Sequence, residues 1–192
     1  MFNFKKTLDS LKRFFRIDSI LEVLPIRGGT IHIDRTLAFS LGEFMNEGWK
    51  LWRGPINGDG LIGETDTDNR SLSITEINLS KIQLISCVDK VDVGPITGED
   101  VLARLKGTKY IRLDVAVFRA VLKNKNKIPE FWKERVNGKT RFIYFEDPLR
   151  NPYGNNARYI LSLYWCNGAW QWRSEWLGGC RYLEDSSAVL VQ

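Results

Sequence analysis

The sequence predicts an α+β fold: a single domain with an antiparallel-rich sheet and helices packed on one face. Two observations predict it. The last third of the chain alternates apolar and polar residues on both sides of Asn167-Gly168, a pattern typical of a β-hairpin. The middle third carries two helix-start patterns, Thr97-x-x-Asp100 and the capping residue Asp114. No linker divides the 192 residues, so we expect one domain over 1–192.

The N-terminal residues 2–22 are predicted to form an amphipathic helix as an appendage to this domain. Phe4, Leu8, Leu11 and Phe15 recur at helical spacing, and most of the basic side chains lie off that stripe. Such a helix can pack on its own domain, on another protein or on an anionic membrane. The sequence leaves these alternatives open.

The central elements follow from short alternating runs and capping residues. Asp34 is predicted to cap a helix running to about residue 47, and the turn-rich residues 54–71 are predicted to form a loop. The remaining central predictions are strands at 30–34, 72–77, 82–88 and 110–113, helices at 97–106 and after Asp114, and a short helix starting at Pro129.

The C-terminal region is predicted to form a three-stranded meander from residues 141–146, 158–166 and 169–177, with a loop over 148–156. A two-residue turn at Asn167-Gly168 would pair Cys166 with Ala169. Period two then places one set of apolar side chains on one face: Tyr159, Leu161, Leu163, Trp165, Trp170, Trp172 and Trp176. A core is the expected role of this face, rather than a ligand platform.

Composition excludes several classes of protein. Three cysteines without a Cys-x-x-Cys pair predict neither a zinc site nor a disulfide framework. No apolar run reaches the length of a membrane span, and the N-terminus lacks a signal-peptide core. We therefore expect a cytoplasmic protein without a transmembrane segment.

Charge is unevenly distributed although the net charge is only +5. Residues 54–100 hold three basic and nine acidic side chains, whereas residues 104–141 hold twelve basic and three acidic ones. Cations interleaved with aromatic rings can bind nucleic acid, or they can be helix-end and snorkelling side chains of an ordinary fold. The predicted nucleic-acid-binding residues are Lys123, Lys125, Lys127, Trp132, Lys133, Arg135, Lys139 and Arg141.

Catalytic and metal-binding residues are scarce. His32 is the single histidine, and Asp34 would lie beside it on one face of a strand as an acid–base pair. Glu64, Asp66 and Asp68 alternate in the loop but lack the glycine and the final glutamate of a calcium loop. We therefore assign no catalytic residue, no metal site and no cofactor.

The chain from about residue 28 onward resembles a group of small uncharacterised bacterial proteins. The segments that carry the resemblance include Gly29-Thr30-Ile31-His32-Ile33-Asp34-Arg35, Ile128-Pro129-Glu130-Phe131-Trp132-Lys133-Glu134 and the Trp-rich C-terminal hairpin. The resemblance implies a shared fold and transfers no catalytic residue. This chain departs from the group at Glu146-Asp147-Pro148, where the others have a glycine-containing turn.

Taken together, these patterns predict a non-enzymatic binding or accessory protein that acts through protein–protein contact with an unknown partner. A nucleic-acid-binding protein that uses residues 104–141 is one alternative. A hydrolase-type enzyme built around His32 and Asp34 is the other. The oligomeric state is left open.

Overall fold

A computed structural model describes residues 28–36, 41–45, 47–89, 92, 94–154 and 156–191. The helices are α1 (Asn69–Leu72), α2 (Gly98–Leu105) and α3 (Val115–Lys123), with short 3-10 helices at Leu41–Glu43, Leu79–Lys81, Lys125–Lys127 and Glu130–Lys133. The strands are β1 (Thr30–His32), β2 (Lys50–Leu51), β3 (Glu76–Asn78), β4 (Gln83–Ile85), β5 (Ile96–Thr97), β6 (Tyr110–Arg112), β7 (Ile143–Arg150), β8 (Arg158–Cys166), β9 (Ala169–Trp176), β10 (Cys180–Arg181) and β11 (Ser186–Val191). The predicted α+β class is confirmed.

The main sheet is mixed and has seven strands. Its order is β4-β11-β7-β8-β9, with β6 also paired to β11 and β2 paired to the end of β7. The β11–β7 pair is parallel, and the other pairs are antiparallel. Two smaller antiparallel pairs, β1–β3 and β5–β10, lie outside it. Strand β9 therefore forms one edge of the main sheet.

The predicted hairpin is confirmed in its turn and in its register. Asn167 and Gly168 both have positive φ, at 50° and 77°, as a tight two-residue turn requires. Cys166 pairs with Ala169, and the register then continues without a shift to Tyr159 opposite Trp176. The pairing of this hairpin follows from local sequence alone because the turn type fixes it.

Both longer helices begin where their capping residues predict. Thr97 and Asp100 form a reciprocal capping box at the start of α2. At the start of α3, the Asp114 carboxylate accepts hydrogen bonds from the backbone N–H groups of Ala116 and Val117. These caps satisfy N–H groups that the helices cannot satisfy internally.

Apolar side chains cover both faces of the sheet, which corrects the prediction of helices on one face. Strand β7 is buried along nearly its whole length. On one face, Phe118 of α3 packs with Phe145 at a ring-centroid distance of 5.0 Å. On the other face, Leu102 of α2 packs with Tyr144 and Ile160. Odd and even positions of β7 thus face two separate cores.

Other central predictions are also corrected. Leu72 belongs to α1 and not to a strand. Where a helix was predicted from Asp34 to about residue 47, the structure has a 3-10 helix at Leu41–Glu43, and residues 37–40 and 46 lie outside the described residues. Strand β7 continues through Pro148 to Arg150, where a loop was predicted, because a bulge between Phe145 and Leu149 takes up the extra residues. The predicted helix at 2–22 lies outside the described residues.

Candidate functional site at the edge of the sheet

Alternate residues of β9 direct their backbone groups away from the sheet, toward its outer edge. In a hairpin with a two-residue turn, alternate residues direct their N–H and C=O groups toward the partner strand. The Leu177 N–H donates to the Arg158 carbonyl at 2.8 Å, so the odd-numbered residues of β9 bond to β8. Trp170, Trp172, Ser174 and Trp176 therefore direct their backbone groups outward.

Two outward carbonyls are already occupied. Trp170 accepts a hydrogen bond from Lys125 Nζ at 3.3 Å, and Trp176 accepts one from the Gly179 N–H at 3.0 Å. Between them, the outward groups of Trp172 and Ser174 have no hydrogen-bond partner in the part of the chain that the structure describes. Within the described residues, the centre of the edge can therefore accept another strand.

This edge lacks two of the features by which proteins usually block strand addition, a short length and a bulge. Edge strands are commonly short, bulged, or interrupted by lysine or proline. Strand β9 has eight residues, Ala-Trp-Gln-Trp-Arg-Ser-Glu-Trp, with a register that never shifts against β8. The opposite edge strand β4, by contrast, has three residues. An open edge of this length is the structural feature that most favours a binding role.

A cleft of about 700 Å³ lies beside this edge, on the same face of the sheet as α2. We call it the aromatic cleft. It is lined by Lys139, Phe142, Tyr144, Arg173, Glu175, Trp176, Arg181, Tyr182, Glu184 and Asp185, among others. Three of these residues, Arg173, Glu175 and Trp176, belong to β9, so a strand added to the edge would also border the cleft.

Two guanidinium groups lie over aromatic rings in this cleft. Arg173 lies 4.1 Å from the ring centroid of Phe142, and Arg181 lies 3.9 Å from that of Tyr144. Arg173 also forms a close ion pair with Glu175 two residues along the same strand. Arg181 is buried, whereas Arg173 is about half exposed and accessible to a partner.

The rim of the cleft exposes large apolar side chains. Trp176 is 55% exposed, and Tyr182 and Leu183 are each 47% exposed. The prediction that Trp176 lies in the core is therefore wrong. Its ring packs over the backbone of Gly178, where an added Cβ would approach the ring to 2.3 Å, so the chain turns away before the ring reaches the core. Exposed aromatic residues of this kind are enriched at protein contacts.

Buried charges stabilise the sheet behind the cleft. Arg158 bonds to Asp66 at 2.5 Å and to Glu99 at 3.1 Å, and Arg112 lies 3.4 Å from Asp66. Burial would raise the pKa of Asp66, but the hydrogen bond from Lys106 and the charges of the two arginines outweigh it and hold that pKa below its usual value. Asp66 is thus a structural anion.

A second cleft, of about 400 Å³, contains buried carboxyl groups. We call it the carboxylate cleft; Asp34, Arg35, Thr67, Asp114, Arg119 and Asp147 lie along its wall. Asp147 accepts hydrogen bonds from the Thr67 hydroxyl at 2.7 Å and from the Val115 N–H at 3.1 Å. Burial, with the nearby charge of Asp114, raises the pKa of Asp147 to about 7. This carboxyl can exchange a proton near neutral pH.

The predicted nucleic-acid residues are mostly engaged with the protein itself. Trp132 is 1% exposed, so it has no free ring face for stacking on a base, and its assignment to a nucleic-acid surface is corrected. Lys127 donates to the Thr30 carbonyl at 2.9 Å, and Arg141 donates to the Phe131 carbonyl at 3.3 Å.

The other predicted cations divide into paired and accessible groups. Lys133 bonds to Glu130 at 2.8 Å and lies 4.2 Å from the Trp165 ring centroid, while Lys139 bonds to Glu184 at 2.6 Å. Lys125 bonds to the Trp170 carbonyl, as described above. The side chain of Lys123 is 60% exposed at 3.5 Å from Glu43, and Arg135 is also exposed. Lys139 also lies 5.7 Å from the ring centroid of Tyr182, which is 47% exposed, so one of these cations lies beside an accessible aromatic ring.

The remaining sequence candidates lie at two separate places in the fold. His32 and Asp34 are exposed on β1 and just after it, and both border a groove of about 60 Å³. Asp68 accepts hydrogen bonds at the start of α1 and bonds to Arg70 at 2.8 Å. No group of three or more metal-binding side chains that could hold an ion occurs within the described ranges.

Sequence reasoning missed the buried charges of the sheet. Glu146 and Asp147 lie in the bulge of β7 and are 1% and 3% exposed. Their sequence context offered one indication: two adjacent acids follow the β-rich run that ends at Phe145 and precede Pro148. Arg158 and Arg181 gave none, because an isolated arginine in a strand usually lies on the surface.

Comparisons of the chain with protein-family models, curated proteins and solved structures found no match. The resemblance to a group of small bacterial proteins therefore stays a prediction. Within the described ranges, no helix has both the length and the apolar character needed to span a bilayer.

Proposed function

We propose that this protein is a non-enzymatic binding protein of the cytoplasm that acts through protein–protein contact, and that the edge of β9 is its contact surface. One observation carries the proposal: among the described residues, the outward backbone groups of Trp172 and Ser174 have no hydrogen-bond partner, and they lie at the centre of a long, regular edge strand. Strand addition satisfies such groups with main-chain hydrogen bonds of a partner.

The aromatic cleft supports the same proposal by offering specificity. Main-chain pairing gives affinity with little sequence preference, and selectivity comes from pockets beside the edge that accept alternate side chains. Arg173, Glu175 and Trp176 present a cation, an anion and an exposed ring at such a position. A partner strand with a complementary charge and an apolar side chain would match them.

Capture by edge-blocked and edge-intact variants tests the proposal. Ser174→Pro removes an N–H that points away from β8, so the hydrogen bonds to β8 are kept. Proline is tolerated at such a position, where the N–H of an edge strand faces solvent. Ser174→Ala is the matched control, since it removes the hydroxyl and keeps the N–H. We expect a captured protein to be retained by the wild type and the alanine variant and lost with the proline variant.

Amide exchange identifies where the captured protein binds. The Trp172 and Ser174 amides should exchange more slowly once that protein is added, because their N–H groups then donate to its backbone. Equal capture by the proline and alanine variants, with both amides still exchanging freely, would refute the β9 edge as the contact surface. Circular dichroism would verify that both variants are folded.

A hydrolase-type enzyme is the alternative that a specific observation favours, namely the proton-exchanging Asp147 in the carboxylate cleft. In this form the alternative centres on Asp147 and not on His32. Hydrolysis of model esters or phosphoesters by the wild type that is lost in Asp147→Asn and kept in His32→Ala would support it. The absence of any hydrolysis across the panel would remove it.

A further inference from the structure

We infer that the strand added to the β9 edge is β9 of a second copy of this chain. The two strands would be antiparallel, with a two-fold axis between Ser174 and the partner subunit's Ser174. The inference rests on the proposed function, since it names the partner for the same edge. An antiparallel pair of identical strands closes as a symmetric dimer, which occupies both β9 edges and leaves only the short β4 edges at the ends of the joined sheet. Two main sheets would thereby join into one continuous sheet.

Backbone geometry limits the registers that two β9 strands can adopt. Outward residues must lie opposite outward residues for both N–H and C=O groups to bond. With the axis at Ser174, this serine faces the partner subunit's Ser174, and Trp172 faces Trp176 of the partner subunit. These are the three hydrogen-bonded positions of a five-residue overlap, and they supply about six hydrogen bonds. The Trp176 carbonyl can take part while still accepting from Gly179, because a carbonyl oxygen has two lone pairs.

Charge selects this register over its neighbours. With the axis at Ser174, Arg173 lies opposite the partner subunit's Glu175, and symmetry repeats the pair on the other side. Moving the axis to Arg173 places two arginines directly opposite each other. Moving it to Trp172 places Arg173 opposite Gln171 of the partner subunit. Opposite charges at facing positions stabilise a strand pair and like charges destabilise it, so the first register is favoured.

Trp176 lies at the end of this overlap and is 55% exposed in the single chain. Its ring borders the aromatic cleft, whereas the facing Trp172 of the partner subunit packs in the main core, so main-chain pairing and charge carry the contact. The contact remains small because it spans five residues a side, and we therefore expect a weak dimer that forms at micromolar concentrations.

Sedimentation velocity of the full-length chain across the micromolar range tests the inference. The wild type should change from monomer to dimer as its concentration rises. Arg173→Glu and Glu175→Arg should each weaken self-association by roughly tenfold, because each creates two like-charged facing pairs. An equimolar mixture of the two variants should associate again, since each then supplies the charge that the other lacks.

A control separates this effect from a general change in charge. Lys81→Glu makes the same charge reversal at an exposed position outside β9, so it should dimerise like the wild type. Rescue in the mixture cannot arise from misfolding of either variant, because a misfolded chain would fail with both partners.

The outcomes distinguish this inference from the proposed function. A wild type that stays monomeric at every concentration overturns the second copy as occupant, as does a dimer that neither charge variant weakens. In either case, capture of another protein that Ser174→Pro abolishes would still uphold the β9 edge as a contact surface. If the wild type stays monomeric and no capture depends on the Ser174 N–H, the proposed function is removed as well.

Discussion

Replacement of Asp147 by asparagine tests how far the sheet is stabilised by a protonated carboxyl group. Asp147 is 3% exposed in the bulge of β7, and its pKa rises from 3.8 to about 7 on folding, chiefly through burial. The folded state therefore binds a proton more tightly than the unfolded state between about pH 4 and about pH 7. The contribution of the protonated Asp147 to stability is fully present below the unfolded pKa and is lost as the pH rises through the folded pKa.

The size of this effect follows from the two pKa values. A difference of about three pH units at about 1.4 kcal/mol per unit gives about 4 kcal/mol as an upper figure. Asparagine has nearly the same shape and no charge. Its amide can donate to the Thr67 hydroxyl while its oxygen accepts from the Val115 N–H, so its contribution does not change with pH in this range.

The assay is urea unfolding of the wild type and Asp147→Asn at several pH values between 4 and 8, with the difference in unfolding free energy as the readout. Taking the difference cancels the contributions of carboxylates whose pKa is lowered on folding, such as Asp66 and Asp68. We expect the variant to become more stable relative to the wild type as the pH rises. A difference that stays constant over this range would refute the account of Asp147.

Three further predictions concern packing, capping and charge. Phe118→Ala should lower the free energy of unfolding by about 3–5 kcal/mol, measured by urea denaturation, because the ring is fully buried against Phe145. Thr97→Ala should cost about 1 kcal/mol in the same assay, whereas Asp114→Ala should cost at least twice as much. The reason is that Asp114 also holds Arg35 at 2.9 Å in addition to capping α3. Fluorescence anisotropy should show no micromolar binding of oligonucleotides at low salt; steep, salt-dependent binding would instead favour the nucleic-acid alternative.

The elements fixed by local rules were predictable from the sequence. The capping residues Thr97 and Asp114 place the starts of α2 and α3, because their side chains bond to backbone N–H groups two or three residues away. The turn at Asn167-Gly168 sets the hairpin register. These features depend on neighbours in the chain, so the sequence alone contains the necessary information.

The elements set by long-range contacts were not predictable. The bulge that keeps Pro148 within β7 is held by the Trp52 N–H, which donates to the Pro148 carbonyl at 2.9 Å. The exposure of Trp176 follows from the turn at Gly178, which carries the chain toward α2. The two-residue period assigns Trp176 to a face of the strand, but it contains no information on where the chain leaves the sheet.

The candidate site was predictable only in part. The sequence placed Trp170 and Trp172 on one face of β9 and Arg173 and Glu175 on its other face, and the structure agrees. The sequence did not indicate that β9 is an edge strand, because the strand order depends on the long-range pairing of β7 with β8 and β11. An edge can be recognised only after the topology is known.

Residue-level amide exchange along β9 tests the central claim most directly. In dilute protein, we expect the Trp172 and Ser174 amides to exchange rapidly while the Gln171 and Arg173 amides, which bond to β8, are protected. At higher concentration, the two outward amides should become protected as a second strand pairs with the edge. Slow exchange of Trp172 and Ser174 already in dilute monomer would contradict the account, because it would mean that the edge of β9 is covered within the single chain.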